Sequence, residues 1–322
     1  MGEQQRYLTD SEGGWHMLKY IGKRLALGIV TLFALMTITF FLMHMIPGSP
    51  FAGELQGLSA AAKEQIIQAY QLDKPIIVQY GTYLKNFFSG QLGTSTARKG
   101  VPITMIIANG LPYTAKVGLS AFCTAMVIGI FLGAVSAFSK KKWIQGLAAF
   151  IATIGVSVPS FLFALFLMYS LGVNLKLLPI MGLKSWKHFI MPSLALALSP
   201  VAMISRLTRS SLSEELRQDY MILALSKGTS YRSAIWKHAL KNAIIPVVTY
   251  AGPLLASLLT GSFVIESMFT IPGIGSEFVA SVSGRDYPLI MALTVLYGSL
   301  VIIANILTDI VSAMIDPRIR LK

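Results

Sequence analysis

The chain has 322 residues, of which 54% are hydrophobic and only 13% are charged, and its formal net charge is +13. A soluble domain of this length carries about 25% charged residues, so the composition excludes an ordinary soluble protein and indicates a membrane protein. Topology signalling and contact with anionic lipid account for the excess of basic residues, so we expect membrane lipid, and no nucleic acid, among its partners.

Six apolar stretches predict six transmembrane helices in an all-α polytopic membrane protein. Each is long enough for the roughly 20 residues that cross a hydrocarbon core about 30 Å thick. They cover residues 25–46, 114–138, 143–173, 189–207, 247–265 and 289–315. Pro192, Pro200 and Pro253 interrupt the fourth and fifth stretches. Bundled spans tolerate such prolines because neighbouring helices satisfy the freed carbonyl groups.

Basic residues predict the orientation. Lys19, Lys23 and Arg24 precede the first span, which places the N-terminus in the cytosol by the positive-inside rule. Six crossings return the C-terminus to the cytosol, where Arg318 and Arg320 lie. The predicted segments are a cytosolic N-terminus (1–24), the first span (25–46), an outer loop with short helices (47–113), a core of five spans (114–315) that includes a cytosolic loop (210–246), and a cytosolic tail (316–322).

The outer loop contains two predicted helices. One covers residues 59–71, and Pro75 opens the other, in which Ile76, Tyr80, Tyr83 and Phe87 recur at helical spacing. A helix with this aromatic face either lies at the membrane surface or packs against the outer ends of the bundle. The sequence alone leaves both arrangements open.

The cytosolic loop, residues 210–246, is basic and patterned as two short helices. The first is predicted over residues 220–227, and Gly228 ends it because glycine takes the left-handed conformation without steric cost. Thr229 or Ser230 then caps a second helix. This helix–glycine–helix element suits insertion into a groove of a partner protein. A basic hairpin lying on anionic headgroups is the alternative.

The loop resembles the cytosolic docking loop of ATP-binding-cassette importer permeases. In that superfamily a Glu-Ala-Ala precedes a glycine that lies four positions after the second alanine. Gly228 and Ala224 match that glycine and that alanine, while Ile222 and Leu223 stand in place of the glutamate and the first alanine. Residues 238–246, His-Ala-Leu-Lys-Asn-Ala-Ile-Ile-Pro, resemble the version found in the dipeptide and oligopeptide permeases.

Further motifs of that family run through nearly the whole chain from Met17. The family often has aspartate where this chain has Ser49 and Gln91, so neither acid is essential here. The matching motifs are Pro47-Gly48-Ser49-Pro50, Leu72-Asp73-Lys74-Pro75, Gly90-Gln91-Leu92-Gly93-Thr94-Ser95, the run from Glu266 to Gly275, Arg285-Asp286-Tyr287-Pro288 and Asp316-Pro317-Arg318.

The resemblance implies the type I fold of these importer permeases and a place in the prokaryotic cytoplasmic membrane. It implies import of short peptides that an extracytoplasmic binding protein delivers, with this chain as the first of two homologous permeases. Two separate ATPase subunits would hold ATP and Mg and dock on Ala224, Leu225, Ser226, Lys227, Gly228 and Thr229. Nickel, metallophore or glutathione import by the same family is the alternative.

The chain is not expected to be an enzyme or to bind a cofactor itself. It carries no Walker A sequence, which agrees with ATP hydrolysis by partner subunits. It also lacks the Gly-x-Ser-Gly and His-Glu-x-x-His motifs of intramembrane enzymes. His44 lies between Met43 and Met45, a pattern that indicates packing rather than a metal site.

Small and polar residues near the outer end of the fifth span are candidates for the transport path or its gate. Ser257, Thr260 and Ser262 provide hydroxyl groups that either line the path or allow close packing against the second permease. Glu266 lines the outer mouth, pairs with Arg285, or is a simple interfacial carboxylate.

Asn305 and Asp309 are four residues apart and therefore share one face of the sixth span. They either pair with a basic residue of a neighbouring helix, such as Arg206, or mark the inner interface.

Overall fold

The computed structural model of the chain describes residues 2–45, 64, 67, 68, 73–98, 100–183 and 185–315. Over these residues the fold is α-helical, and the β-structure consists of an isolated bridge between Thr94 and Pro102. Most of the helix predicted over residues 59–71, the Pro-Gly-Ser-Pro segment at 47–50 and the tail after residue 315 lie outside the described residues.

The helices follow one another along the chain with short connections. In order they are α1 (Gly2–Met45), α2 (Ile76–Phe88), α3 (Ile103–Phe138), α4 (Lys142–Ser157), α5 (Ser160–Leu167), the π-helix π1 (Met168–Asn174), α6 (Lys187–Glu215), α7 (Asp219–Ser226), α8 (Tyr231–Ala234), the π-helix π2 (Ile235–Ala239), α9 (Leu240–Ala243), α10 (Ile245–Leu259), α11 (Phe263–Met268), α12 (Ile274–Ser283) and α13 (Tyr287–Ile315).

The predicted spans correspond to four unbroken helices and two bent pairs. Among the described residues, four helices are long and apolar enough to cross a membrane, and the number rises to six if each bent pair is one span. The unbroken helices are Ile21–Met45, Ile103–Phe138, Lys187–Glu215 and Tyr287–Ser312. The bent pairs are Lys142–Ser157 with Ser160–Asn174, at 107°, and Ile235–Ala243 with Ile245–Leu259, at 44°.

Proline has opposite effects at different positions. Pro159 precedes α5, and the residue before it, Val158, is extended with ψ 120°, so the third span bends there. Pro192 and Pro200 instead lie inside α6, which continues through them. The fifth span ends earlier than the predicted residue 265, because α10 ends at Leu259 and a turn with Gly261 at φ 82° follows.

A stripe of small residues on α3 allows α3 and α6 to pack closely. A Cβ atom added to Gly129 would lie 2.7 Å from Cβ of Ile204, and one added to Gly133 would lie 2.6 Å from the carbonyl oxygen of Ser205. Helices in lipid associate through such close approach because burial of apolar surface gives little driving force there. The α3–α6 pair is therefore the tightly packed centre of the bundle.

Helix α2 packs against the outer half of α1. The Tyr80 and Thr37 hydroxyl groups are 2.6 Å apart, and the ring of Phe40 lies 5.2 Å from that of Tyr80. Ile77 and Phe88 of the same helix are 67% and 73% exposed. Of the two arrangements predicted for this helix, packing against a span is thus present, and its other side remains apolar and open.

Asp286 fastens the turn before α3 to the start of α13. Its buried carboxylate accepts hydrogen bonds from the Ser95 hydroxyl, from the backbone N–H of Thr96 at 3.1 Å and from that of Leu289 at 3.3 Å. Leu289 belongs to the first turn of α13, so Asp286 caps this helix while it holds a loop 190 residues away in the chain.

We expect Asp286→Asn to destabilise the protein by about 2 kcal/mol, because the new amide would point an N–H group at donors that now face a carboxylate oxygen. Thermal unfolding of the purified protein in detergent measures the change. Glu277→Gln is the matched control, since its partner Arg98 is 49% exposed and such a pair contributes less than about 1 kcal/mol. Equal losses in both variants would contradict the role of Asp286.

Candidate docking loop and transport path

The end of α7 forms a Schellman turn centred on Gly228. The N–H of Gly228 donates to the Leu225 carbonyl at 3.0 Å, and the N–H of Thr229 donates to the Ala224 carbonyl at 3.1 Å. Gly228 has φ 81°, the left-handed conformation that this motif requires. The predicted end of the helix at Gly228 is confirmed, and the hydrogen bonds close residues 224–229 into one compact unit.

Ser230 begins the second helix of the loop. Its side-chain oxygen accepts from the N–H of Ser233 at 3.4 Å, and its carbonyl accepts from the N–H of Ala234 at 2.9 Å. Of the two predicted caps, Ser230 rather than Thr229 therefore occupies the cap position. The helix then continues through α8, π2 and α9.

An apolar cluster anchors the loop to the bundle. Met221 of α7 is 1% exposed and packs with Leu212 of α6 and with Ile235 and Ala239 of π2. Ala134, near the C-terminal end of α3, joins the same cluster. The loop helix α7 therefore shares one apolar core with α3 and α6.

A hydrogen-bonded group of three side chains reinforces this anchor. Glu215, the last residue of α6, accepts from the Tyr220 hydroxyl and, at 3.4 Å, from the Asn242 side-chain amide of α9. Burial, and then the hydrogen bond to Glu215, raise the pKa of Tyr220 to about 12. The hydroxyl therefore remains a proton donor at every physiological pH.

The opposite side of the loop presents large apolar residues that no described part of the chain covers. Ile222 is 61% exposed, and Leu223, Leu225, Tyr231 and Trp236 are also exposed. Such residues in a polar, basic loop mark a surface that contacts another protein or a membrane. The sequence analysis did not single out Tyr231 or Trp236, although large aromatic residues amid lysines and arginines are a visible signal.

The hydroxyl groups proposed for the path are engaged within their own segment. Ser257 donates to the Leu254 carbonyl and Thr260 to the Ser257 carbonyl, each at 2.8 Å. Ser262 caps α11 by accepting from the N–H of Ile265 at 3.5 Å. Ser257, on α10, is exposed, so one side of this segment faces away from the chain's own core.

Glu266 occupies a niche walled by glycines. It is 2% exposed and accepts from the Thr114 hydroxyl of α3 at 2.8 Å and from the N–H of Ser276 of α12 at 2.7 Å. A Cβ atom on Gly261 or Gly273 would lie 2.5 Å or less from this carboxylate. The carboxylate is thus covered in this conformation, and it joins the break after α10 to the middle of α3.

Asp309 forms the predicted pair with a basic residue of a neighbouring helix, and that residue is Arg24. Arg24 Nε of α1 lies 3.2 Å from Asp309 Oδ2. Arg206, which the sequence analysis named as an example of such a partner, does not pair with Asp309. Its guanidinium group instead donates to the Ala152 carbonyl at 3.3 Å.

Comparison with known families matches both parts of the chain. Residues 125–321 match the family described as binding-protein-dependent transport system inner membrane component. Residues 17–114 match the N-terminal family of the same membrane components. Together the two matches cover the outer loop, the docking loop and the spans.

Relatives match over nearly their full length. The dipeptide transport system permease protein DppB of Lactococcus lactis subsp. cremoris is 42% identical over 305 residues, which are 95% of this chain and 100% of the relative. DppB of Bacillus subtilis is 41% identical over 95% of this chain and 99% of the relative. The oligopeptide transport system permease protein OppB of Salmonella typhimurium is 40% identical over 94% of this chain and 100% of the relative.

Solved structures share the fold at low sequence identity. The inward-facing MetNI methionine ABC transporter matches with a TM-score of 0.56 and 16% identity, over 66% of this chain and 97% of that chain. An amino acid ABC transporter solved with histidines matches with a TM-score of 0.52 and 18% identity, over 66% of this chain and 94% of that chain. The chain has the type I importer permease fold, and it belongs to the family of binding-protein-dependent transport system inner membrane components.

Proposed function

We propose that the chain is the first permease subunit of an ATP-driven importer of dipeptides or oligopeptides in a prokaryotic cytoplasmic membrane. The exposed apolar side of the loop at residues 210–246 carries this proposal, because such a surface contacts a protein or a membrane and the loop resembles the docking loop of importer permeases. The names of the relatives support peptide cargo over nickel, metallophore or glutathione. An extracytoplasmic binding protein delivers the peptide, and a second, homologous permease completes the path.

Two ATPase subunits dock on the cytosolic side and supply ATP and Mg, and both termini of this chain lie in the cytosol. Residues 224–229 are the proposed contact, with the exposed side chains of Ile222 and Leu223 beside it. The Schellman turn supports this assignment because it holds the contact in one conformation before binding, which reduces the ordering cost of docking.

The mechanism that follows is alternating access. ATP binding closes the ATPase dimer, and α7 moves with the subunit on which it docks. The shared apolar cluster transmits that movement to α3 and α6. At the outer end, Glu266 fastens the break after α10 to α3, so we assign it to the gate, together with Ser257, Thr260 and Ser262 of the same segment.

We expect short peptides to stimulate ATP hydrolysis by the complete transporter, reconstituted in vesicles with its binding protein. Nickel and reduced glutathione, tested in the same vesicles, should leave hydrolysis at its basal rate. Stimulation by one of these, with none by peptides, would overturn the peptide assignment while leaving the importer assignment in place.

We expect Gly228→Trp to insert normally into the membrane and to abolish peptide-stimulated ATP hydrolysis. Apart from its chain neighbours, no described residue lies within 4 Å of a Cβ atom at this position, so the indole has room within this chain and would collide with a docked partner, while φ 81° adds strain to the turn. Gly228→Asn is the control, because asparagine tolerates the left-handed conformation. Wild-type stimulation in the tryptophan variant would contradict the docking role of Gly228.

Deletion of residues 224–229 should release the ATPases from the permease during affinity capture. Ile222→Glu tests the same surface without shortening the chain, and we expect it to reduce the captured ATPase at least about tenfold by placing a charge in an apolar contact. Ile77→Glu, an equally exposed change on α2, is the control. Undiminished capture by both docking-loop variants would place the ATPase contact elsewhere.

A further inference from the structure

Two neighbouring cavities lie at the inner end of α6, away from the docking surface. The larger has a volume of about 560 Å³. Arg206, Arg209 and Arg217 line it, and Glu214 is the one acidic residue among its lining residues. This cavity is therefore cationic and open enough to admit a polar group.

The smaller cavity is a slot of about 190 Å³ between α3, α4 and α6. It shares Arg206 and Arg209 with the larger cavity, so the two adjoin at these guanidinium groups. Ala148 and Ala152 form apolar walls, and both are buried. The combined site therefore has a cationic mouth and a partly apolar interior.

Ser136 gives the slot an unsatisfied donor. The residue is 1% exposed, it lines the slot, and its hydroxyl has no hydrogen-bond partner among the residues that the structure describes. Leaving a buried hydroxyl unpaired costs about 1–3 kcal/mol. An oxyanion held by Arg206 and Arg209 would give this hydroxyl an acceptor.

The depth of the site matches that of lipid headgroups. Arg206 lies about two and a half turns before the end of α6, and the predicted fourth span ends at residue 207. Arg206 and Arg209 therefore flank the inner edge of the hydrocarbon core, where the phosphates of the inner leaflet lie. Basic pockets between spans on the cytosolic side are suited to anionic headgroups.

We propose that this site binds the phosphate group of an anionic phospholipid of the inner leaflet. The guanidinium groups of Arg206 and Arg209 donate to the phosphate oxygens, a geometry for which arginine is well suited. Ser136 donates from within the slot, and the alanine walls contact the apolar part of the lipid next to the headgroup. A free phosphate ion would use the same donors but would leave the apolar walls uncovered.

The test counts phosphatidylglycerol molecules bound to the complete transporter in detergent by native mass spectrometry, over a titration with the lipid. We expect Arg206→Gln/Arg209→Gln to weaken binding at least about tenfold, because each guanidinium contributes charge-assisted hydrogen bonds. Lys140→Gln/Lys142→Gln is the matched control, with the same change in charge at residues that line neither cavity. Equal weakening by both double variants would show that the lipid responds to the general positive charge of the protein rather than to Arg206 and Arg209. That result would overturn the proposed site.

Ser136→Ala keeps the proposal testable if the double arginine variant fails to assemble. We expect this variant to bind phosphatidylglycerol about tenfold more weakly, because it loses one hydrogen bond to a charged group. We expect no loss of thermal stability in lipid-free detergent. Unchanged lipid affinity in this variant would overturn the role of the slot.

Two competition experiments distinguish a lipid phosphate from the other oxyanions that could occupy the site. Inorganic phosphate and a short peptide are each titrated against bound phosphatidylglycerol in the wild-type transporter. We expect neither to displace the lipid at equal concentration. Displacement by inorganic phosphate would assign the site to a free anion, and displacement by the peptide would assign it to a cargo carboxylate; either outcome overturns the lipid proposal.

Discussion

Two buried acidic side chains hold together the segments on either side of the breaks between α10 and α13. The helix that follows a break begins with backbone N–H groups that have no partner within the helix and need other acceptors. The chain breaks after α10 and before α13, and a buried carboxylate stands at each break. Glu266 accepts from Ser276 and Thr114, while Asp286 accepts from Thr96 and Leu289. Each carboxylate therefore binds a segment near its own break and a segment distant in the chain: Asp286 accepts from both with Oδ1, whereas Glu266 uses a different oxygen for each.

The inner half relies on packing and on local turn chemistry instead. Its connecting loop lies where water can satisfy backbone groups, so no buried carboxylate is needed there. The Schellman turn at Gly228 and the cluster around Met221 are sufficient to hold α7 against α3 and α6. The segments between α10 and α13 are thus held by buried polar contacts, whereas α7 is held by apolar packing against α3 and α6.

The sequence predicts features that depend on residues close together in the chain, and it does not predict contacts between residues far apart in the chain. The apolar stretches, the end of α7 at Gly228 and the helix after Pro75 depend on neighbouring residues, and these predictions are confirmed. The partners of Glu266 and Asp286 lie 152 and 190 residues away, and no periodicity connects them. The bend at Pro159 had a local signal, but the apolar run that continues on both sides of it concealed the break. The sequence shows Arg206 as a cation at the edge of a predicted span. Its neighbours in the slot come from α3 and α4, so they could be identified only from the folded structure.

Charge is distributed along the bundle in the way that these interactions require. The two buried acidic side chains, Glu266 and Asp286, lie at the breaks after α10 and before α13, where N–H and hydroxyl donors converge on them. The guanidinium groups of Arg206, Arg209 and Arg217 lie near the inner end of α6, where the positive-inside rule places cations. Cations there face either water or anionic headgroups, and the Ser136 hydroxyl beside them has no acceptor among the described residues. Because α6 runs from this cavity directly to Glu215, a ligand held at Arg206 and Arg209 would contact the same helix whose end is bonded to Tyr220 of α7.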